Sequence, residues 1–199
     1  MRTAELRDLL GQLRRECQAE LLSNHQRSLP FADAIFDRWE RAKELGFGER
    51  TSIYDSSLVM GEVEVGEHTW IGPWTLLDGT GGGLTIGSYC SIASGVHIYT
   101  HDTVAWALTG GVATRRTGRV AIASRVYIGG QSIVACGVTI GTQSVVAANS
   151  FVNRDVEPGT VVAGTPAVRI GRVEVNGETA ALYFDDQASI PMDLLPMAR

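Results

Sequence analysis

The first 45 residues carry their apolar side chains at helical spacing. Leu6, Leu10 and Leu13 recur three or four residues apart between charged positions, which is the pattern of a helix with one apolar face. We therefore predict a helix over residues 3–22. A second helix is expected over residues 31–45, where the apolar spacing resumes after a proline and ends at a glycine.

From residue 53 the apolar pattern changes to a period of six residues. Neither the helical period of 3.6 nor the strand period of two produces such spacing. Three extra residues follow Leu77, a long gap follows Ile98, and four extra residues follow Val152. The aliphatic positions that keep this register are Ile53, Val59, Val65, Ile71, Leu77, Ile86, Ile92, Ile98, Ile122, Ile128, Val134, Ile140, Val146, Val152, Val162 and Val168.

A second position of each hexad agrees with the first. Four residues after the aliphatic position stands a small or β-branched side chain, such as Ser57, Thr69 or Val96, and Gly or Ala often follows the aliphatic residue directly. This double rule is typical of a hexapeptide-repeat solenoid, in which three hexads complete one triangular coil. The sequence thus predicts a mainly β protein with coils about 4.8 Å apart. We expect the aliphatic residues to point inward and Gly or Ala to let the backbone turn.

These patterns divide the chain into three parts. Residues 1–50 form the N-terminal helical segment, residues 51–172 form the repeat domain with a protruding loop at 99–121, and residues 173–199 form a hairpin and tail. The hairpin is expected to turn at Asn176-Gly177, a pair that favours tight turns. We also expect it to cover the open end of the solenoid, where strand groups would otherwise stay unpaired.

Composition and charge argue against several classes of protein. The 199 residues contain 17 Lys and Arg against 22 Asp and Glu, a net charge of −5, which is unlike a nucleic-acid-binding protein. No apolar run approaches the roughly 18 residues of a membrane helix, and the first residues lack a signal-peptide core. The cysteines Cys17, Cys90 and Cys136 lack metal-ligand spacing, so we interpret them as free thiols and expect a cytoplasmic protein.

The repeat resembles the hexapeptide-repeat acyltransferases over about residues 53–172. The segments that carry the resemblance are Val65-Gly66-Glu67-His68-Thr69-Trp70-Ile71-Gly72-Pro73 and Val138-Thr139-Ile140-Gly141-Thr142. The resemblance implies a left-handed parallel β-helix, which departs from the usual right-handed crossover between parallel strands. It also implies a homotrimer with its active site between two prisms, and an acyl-coenzyme A, here acetyl-coenzyme A, as the co-substrate.

His101 lies at the root of the longest interruption of the repeat, the loop 99–121. A loop of this length on a regular scaffold usually serves a function. In galactoside, maltose and related sugar acetyltransferases a histidine at this position is the general base. Thr100-His101-Asp102 matches that position, so the resemblance implies the same role for His101. A neutral imidazole suits it, because it can accept the proton that a hydroxyl loses while attacking a thioester.

Two carboxylates are candidates to support the imidazole, Asp102 beside it and Asp78 at the first break of the repeat. The sequence does not decide between them. Asp78 is followed by a run of glycines that ends at Gly83, which would let a ligand approach the backbone. A plain tight turn with a local bond from Asp78 is the structural alternative. The residues that we predict to contact the substrate are Asp78, Tyr99, Trp106 and Arg115.

The coils toward the C-terminus carry the small side chains that a long, thin pantetheine chain needs. The resemblance assigns the coenzyme to these coils, and arginines near their end suit its phosphates. Related proteins often carry a basic residue where this chain has Val168. The residues expected to bind the coenzyme are Tyr127, Gly129, Gly130, Ala147, Ala148, Asn153, Arg154, Thr165, Arg169 and Arg172.

The function expected from these features is acetyl-coenzyme A-dependent O-acetylation of a sugar or glycan hydroxyl. N-acylation of an amino sugar, free or nucleotide-linked, is an alternative that the sequence cannot separate. A metal-dependent hydratase would need three histidines around zinc, and the spacing of His97 and His101 is not the expected one, so we predict no metal. A non-catalytic assembly platform would need neither the histidine nor the small-residue surfaces.

Overall fold

The hexads form the coils of a parallel β-helix. The computed structural model describes residues 2–185 and the strand 192–193. Strands of successive coils pair in parallel, so that Ile53 lies beside Ile71 and Ile71 beside Ile92. The paired residues are aliphatic positions three hexads apart. Each coil therefore consists of three hexads, and the prism has three faces.

Most strands of the prism are two or three residues long, because a corner follows each one. The strands in chain order are β1 (Ser52–Ile53), β2 (Leu58–Val65), β3 (Trp70–Ile71), β4 (Leu76–Ile86), β5 (Ser91–Ile92), β6 (His97–Tyr99), β7 (His101–Asp102), β8 (Arg116–Thr117), β9 (Val120–Ile122), β10 (Tyr127–Ile128), β11 (Ile133–Val134), β12 (Thr139–Ile140), β13 (Val145–Val146), β14 (Phe151–Val152) and β15 (Thr160–Gly164).

Each of the three faces is a column of paired aliphatic residues, and the faces are called A, B and C. Face A contains Ile53, Ile71, Ile92, Ile128, Val146 and Val162. Face B contains Val59, Leu77, Ile98, Val134 and Val152. Face C contains Val65, Ile86, Ile122, Ile140 and Val156.

The aliphatic columns fill the inside of the prism, as the period predicts. Ile71, Leu77, Ile98 and Ile128 are each 0% exposed. Burying one such side chain stabilises a fold by about 1.5–3 kcal/mol, so a column of them supplies the main driving force. Val59, in the first coil, is only half-buried.

The small polar residues at the second position are buried but have partners. The Ser57 hydroxyl donates to the Gly72 carbonyl at 2.9 Å, and the Thr69 hydroxyl donates to the Gly87 carbonyl, also at 2.9 Å. The same Thr69 oxygen accepts the backbone N–H of Cys90. Each hydroxyl thus connects two coils, and this removes the penalty of burying it.

The prediction that Gly or Ala directly after the aliphatic residue forms the corner is wrong. The residue in the left-handed region comes three positions after the aliphatic one, as at His68, Trp74 and Tyr89, with φ of 55°, 57° and 59°. Gly directly after the aliphatic residue serves close stacking instead. A Cβ on Gly66 would lie 2.6 and 2.7 Å from two atoms of Ser88 and 2.8 Å from the Gly87 carbonyl carbon in the next coil, too close for any other residue.

The N-terminal segment contains three helices, α1 (Thr3–His25), α2 (Phe31–Ile35) and α3 (Arg38–Glu44). The prediction of one helix over 31–45 is wrong, because the Asp37 carboxylate accepts the N–H groups of Trp39 and Glu40 and starts a new helix there. α3 contacts β1, whereas α1 contacts α2.

Most of the apolar face of α1 is exposed in the described chain, although α1 contacts α2. α1 has no buried residue, and five of its leucines are 40–55% exposed, namely Leu6, Leu9, Leu10, Leu13 and Leu22. Among the described residues, no helix combines the length and apolar content needed to cross a membrane.

After β15 the chain leaves the repeat. β16 (Ala167–Asn176) pairs antiparallel with β15, and β17 (Thr179–Phe184) pairs antiparallel with β16. The short strand β18 (Met192–Asp193) follows on the same sheet. The hairpin therefore extends face A, and its turn contains Gly177 with a φ of 59°. Most of the predicted tail lies outside the described residues.

Val168 is not part of the inner column, although it keeps the period. It is 59% exposed, because the antiparallel reversal at β16 turns its side chain outward. The six-residue spacing alone therefore extends the predicted repeat one aliphatic position too far, to Val168.

We predict that Val146→Ala lowers the free energy of unfolding by about 2 kcal/mol, since it removes two carbons from a fully buried side chain. Val168→Ala makes the same chemical change at an exposed site and should cost less than about 0.5 kcal/mol. Denaturant unfolding followed by circular dichroism measures both. Equal losses would contradict the orientation of Val168.

Candidate active site

Two interruptions of the repeat lie on top of each other at one edge of the prism. Both follow a face B strand and precede face C, the first after Leu77 and the second after Ile98. Asp78 opens the first and lies beside Tyr99, which opens the second. The stacking thus brings the segment 78–83 against the root of the loop.

His101 and Asp78 meet at this edge. His101 Nδ1 lies 2.8 Å from Asp78 Oδ2, with side-chain exposures of 26% and 1%. The other carboxylate oxygen, Oδ1, accepts the backbone N–H and the hydroxyl of Thr80, at 2.9 and 2.6 Å. The imidazole therefore stands between a buried carboxylate and the solvent.

The Thr100 hydroxyl makes hydrogen bonds between the two interruptions. Thr100 is 0% exposed. Its hydroxyl donates to the Asp78 carbonyl at 2.7 Å and accepts the Gly81 N–H at 2.8 Å. These bonds connect the backbone of Asp78 and of Gly81 to the residue before His101. The separation of the carboxylate and the imidazole is thus set by the backbone.

The glycines after Asp78 serve packing more than ligand access. A Cβ on Gly79 would collide with the Glu62 carbonyl, and a Cβ on Gly81 would collide with the Thr100 carbonyl. Only glycine lets the three coils approach this closely. The local turn bond from Asp78, considered as the structural alternative, is also present.

Asp102 is turned to other partners. Its carboxylate accepts the Val104 N–H at 3.2 Å and lies 3.9 Å from the Arg116 guanidinium and 3.6 Å from Cys136 Sγ. Successive side chains of a strand point to opposite sides, and His101 and Asp102 form the two-residue strand β7. The carboxylate that meets the imidazole is therefore that of Asp78.

The loop after His101 forms a small flap. β7 pairs antiparallel with β8, and a short helix α4 (Val104–Leu108) lies between them. Trp106 is 52% exposed and lies near Gly111. Arg115 reaches back to the site, where it donates to the Thr80 carbonyl at 3.2 Å.

Tyr99 was predicted to contact the acceptor substrate, and in the structure its side chain contacts His97. Its hydroxyl lies 3.3 Å from His97 Nδ1, and the two rings meet edge to face. His97 therefore belongs to an aromatic pair on the outer side of face B. His68 stacks on Tyr89 of the next coil with ring centroids 4.6 Å apart, which makes it a corner residue.

The predicted coenzyme residues divide between two edges of the prism. Gly129, Gly130, Ala147 and Ala148 follow face A strands, whereas Asn153 and Arg154 follow a face B strand on the same edge as His101. The structure does not bring the two groups together within one chain. A Cβ on Gly129 would collide with the backbone of Ala148, so close stacking requires glycine there.

The remaining coenzyme candidates have defined neighbours. The Thr165 hydroxyl donates to the Asn149 carbonyl at 3.3 Å. Tyr127 is 46% exposed on the outside of face A. It lines a cavity of about 400 Å³ together with Val145 and with Val175 and Leu182 of the C-terminal hairpin.

The arginines proposed for phosphate binding differ in their surroundings. Arg169 pairs with Asp185 at 3.1 Å, and this hydrogen bond and charge raise the pKa of the Arg169 guanidinium. Arg172 pairs with Glu174 at 2.9 Å and stacks over the Tyr183 ring. Within residues 2–185, only Arg154 of the three has no acidic side chain in ion-pair range.

The surroundings of the two buried cysteines do not favour thiol chemistry. Burial raises the pKa of the Cys90 thiol and of the Cys136 thiol, although the Arg116 charge partly opposes the rise at Cys136. A raised pKa disfavours the reactive thiolate. In the described part of the chain, no three His, Cys, Asp or Glu side chains come together as metal ligands.

Thr80 and Thr100 are site residues that the sequence analysis missed. The signal for Thr80 was available, since an Asp followed two positions later by Thr is a common local turn. Thr100 carried no separate signal, because its partners lie about one coil earlier in the chain.

Solved acyltransferases share this fold. The hexapeptide-repeat-containing acetyltransferase VCA0836 from Vibrio cholerae is 28% identical to this chain, with a TM-score of 0.56, over 85% of this chain and 91% of VCA0836. AntD, an N-acyltransferase from Bacillus cereus solved with dTDP and 3-hydroxybutyryl-CoA, matches at 20% identity and a TM-score of 0.56, over 69% of this chain and 90% of AntD.

A variant of AntD solved with dTDP-4-amino-4,6-dideoxyglucose and coenzyme A matches at 24% identity and a TM-score of 0.57, over 67% of this chain and 88% of that one. No protein-family model matches the sequence. The predicted architecture, mainly β with parallel strands, is confirmed. The chain is similar to hexapeptide-repeat acyltransferases, and the likeness does not distinguish the sugar O-acetyltransferases among them.

We predict that Gly81→Ala lowers the free energy of unfolding by about 1–3 kcal/mol, because the added methyl overpacks the contact with Thr100. Gly11→Ala is the matched control. Gly11 lies in α1 with no atom closer than 3.5 Å to the added carbon, so the change should be neutral or stabilising by up to about 1 kcal/mol. Thermal unfolding of both variants is the measurement. A Gly81→Ala melting temperature at or above the parent's would contradict the packing described here.

Proposed function

We propose that this protein is an acyl-coenzyme A-dependent acyltransferase that acetylates a hydroxyl of a sugar or glycan in the cytoplasm. The observation that carries the proposal is the 2.8 Å approach of His101 Nδ1 to the buried Asp78 carboxylate. An imidazole backed by a carboxylate is the usual arrangement of a general base that must remove a hydroxyl proton. The similarity to VCA0836, an acetyltransferase, supports the same reaction.

The chemistry follows from the orientation of the ring. The Asp78 carboxylate beside Nδ1 favours the tautomer that carries its hydrogen on Nδ1, which leaves the lone pair on Nε2 free. Nε2 takes the proton of the acceptor hydroxyl while the oxygen attacks the thioester carbonyl. The carbon–sulfur bond then breaks, and the imidazolium returns its proton to the departing thiolate. Asp78 stabilises the positive ring between these two transfers.

The co-substrate is an acyl-coenzyme A, and the site is completed by a second copy of the chain. Coenzyme A bound to AntD supports the donor. Within one chain, the stripe of small residues (Gly129, Gly130, Ala147 and Ala148) and His101 lie on different edges of the prism. A homotrimer with left-handed coils would bring the stripe of one copy to the flap of the next. Leu108 and Val112 on the flap are 83% and 86% exposed, as an interface requires. Sedimentation equilibrium measures the assembly.

Arg154 is the cation that we assign to the coenzyme phosphates. It is exposed on the edge of the prism that carries His101. Arg169 and Arg172 already have acidic partners, and a phosphate would have to displace them. Tyr99, Trp106 and Arg115 remain the candidates for acceptor recognition, with Arg115 the one that contacts the site directly.

We predict that His101→Ala lowers kcat by about 10²–10⁴-fold, the usual contribution of a general base. Asp78→Asn should lower kcat by about 10²-fold or more, because an amide no longer selects the Nδ1–H tautomer. Asp102→Asn should have a much smaller effect, since Asp102 faces away from the ring. Release of free thiol from acetyl-coenzyme A in the presence of sugar acceptors is the assay. Undiminished transfer by His101→Ala would overturn the mechanism.

A second candidate acceptor is an amino sugar, including a nucleotide-linked one. AntD, which shares the fold, was solved with a nucleotide-linked amino sugar. The two candidates differ in their need for the base, because a neutral amine is a better nucleophile than a hydroxyl and depends less on proton removal before attack.

The acceptors can be separated with paired sugars that differ only in hydroxyl against amine at one carbon. For a sugar O-acetyltransferase we expect higher kcat/KM with the hydroxyl sugar, and a larger loss on His101→Ala for that sugar. Mass spectrometry of the products identifies the acylated atom. Preference for the amine would replace the O-acetyl proposal by the N-acyl one.

A further inference from the structure

The Thr80 hydroxyl lies between the buried carboxylate and the imidazole. Its oxygen is 2.6 Å from Asp78 Oδ1 and 3.2 Å from His101 Nδ1. The Thr80 backbone N–H is a second donor to the same carboxylate oxygen, at 2.9 Å. Thr80 therefore touches both members of the pair.

The number of hydrogens available decides the direction of these bonds. A hydroxyl has one hydrogen, and at 2.6 Å from an acceptor-only carboxylate that hydrogen is donated to Asp78. The face of Oγ1 toward the ring then offers only lone pairs. Asp78 Oδ2, 2.8 Å from the same ring nitrogen, is also an acceptor. Nδ1 thus faces two acceptors and no donor, so it carries the proton.

The same bonds select the orientation of the carboxylate. Thr80 occupies Oδ1 with two donors, whereas Asp78 Oδ2 accepts no hydrogen bond from the described residues and has the His101 Nδ1 atom 2.8 Å away. Rotation of the carboxylate out of its present plane would break both bonds to Thr80. The Thr80 side chain therefore holds Oδ2 toward the ring.

Thr80 is itself held from two sides. Arg115 of the flap donates to its carbonyl at 3.2 Å, and the next residue, Gly81, is bonded to Thr100 at 2.8 Å. The hydroxyl position is therefore determined by both interruptions of the repeat.

We propose that Thr80 is a positioning residue that keeps His101 in the Nδ1–H tautomer, with Nε2 free to act as a base. Its effect on the tautomer does not depend on the reaction, whereas its effect on turnover rests on the proposed acyltransferase function.

The expected size of the effect is modest. Thr80 is exposed, so water can replace part of what its hydroxyl supplies. Loss of one hydrogen bond of this kind changes kcat by about two- to tenfold, well below the effect expected for His101→Ala. KM for the acyl donor should not change, because the proposed role of Thr80 acts only through the tautomer of His101.

The test compares Thr80→Val, which has the same shape without the hydroxyl, with Thr80→Ser, which keeps it. In protein labelled with ¹⁵N-histidine, the ring nitrogen shifts report which nitrogen carries the proton. The chain has only four histidines, and the His101→Ala spectrum identifies the resonances of His101. We expect the Nδ1–H form in the parent and in Thr80→Ser, and a mixture of both tautomers in Thr80→Val. We expect kcat to follow the same order.

The outcomes separate this proposal from the proposed function. An unchanged Nδ1–H signal in Thr80→Val overturns the positioning role, whatever the activity. A shift to mixed tautomers in a protein that transfers no acyl group supports the role of Thr80 and overturns the proposed function instead. Should Thr80→Val fail to fold, Thr80→Ala removes the same hydroxyl, and the same tautomer signal decides.

Discussion

The close stacking of successive coils is the constraint on which this structure depends. Coils separated by one strand spacing leave no room for a Cβ at several corners, as the contact of Gly66 with Ser88 and of Gly129 with Ala148 shows. The same spacing lets a buried hydroxyl such as that of Ser57 reach the coil above it. Interior, corners and hydroxyl bonds therefore repeat together, because all of them follow from one separation.

The candidate site arises where two successive coils depart from this regularity at the same edge. The segment 78–83 and the flap root both follow face B, one coil apart, so their first residues lie side by side. An insertion in one coil alone would leave Asp78 without His101. The site is thus a product of register, since stacking decides which inserted residues become neighbours.

A buried carboxylate at this edge requires compensation, and the site is arranged to provide it. Asp78 is 0% exposed, and an isolated buried charge would cost several kcal/mol. Two donors from Thr80 and the imidazole of His101 surround it. The interactions that make the burial tolerable also orient the ring, so stability and orientation share the same bonds.

The sequence by itself determined the solenoid, its aliphatic columns and the position of the loop that His101 begins. These features are local or periodic, and in a solenoid each coil contacts only its neighbours, so the period in the chain is the period in space. The sequence could not decide whether Asp78 or Asp102 supports the His101 imidazole, because adjacency in the chain does not give side-chain direction. Only the tertiary structure turned Asp102 toward Arg116 and gave Arg169 the partner Asp185. Those outcomes depend on how distant segments stack, which no local pattern encodes.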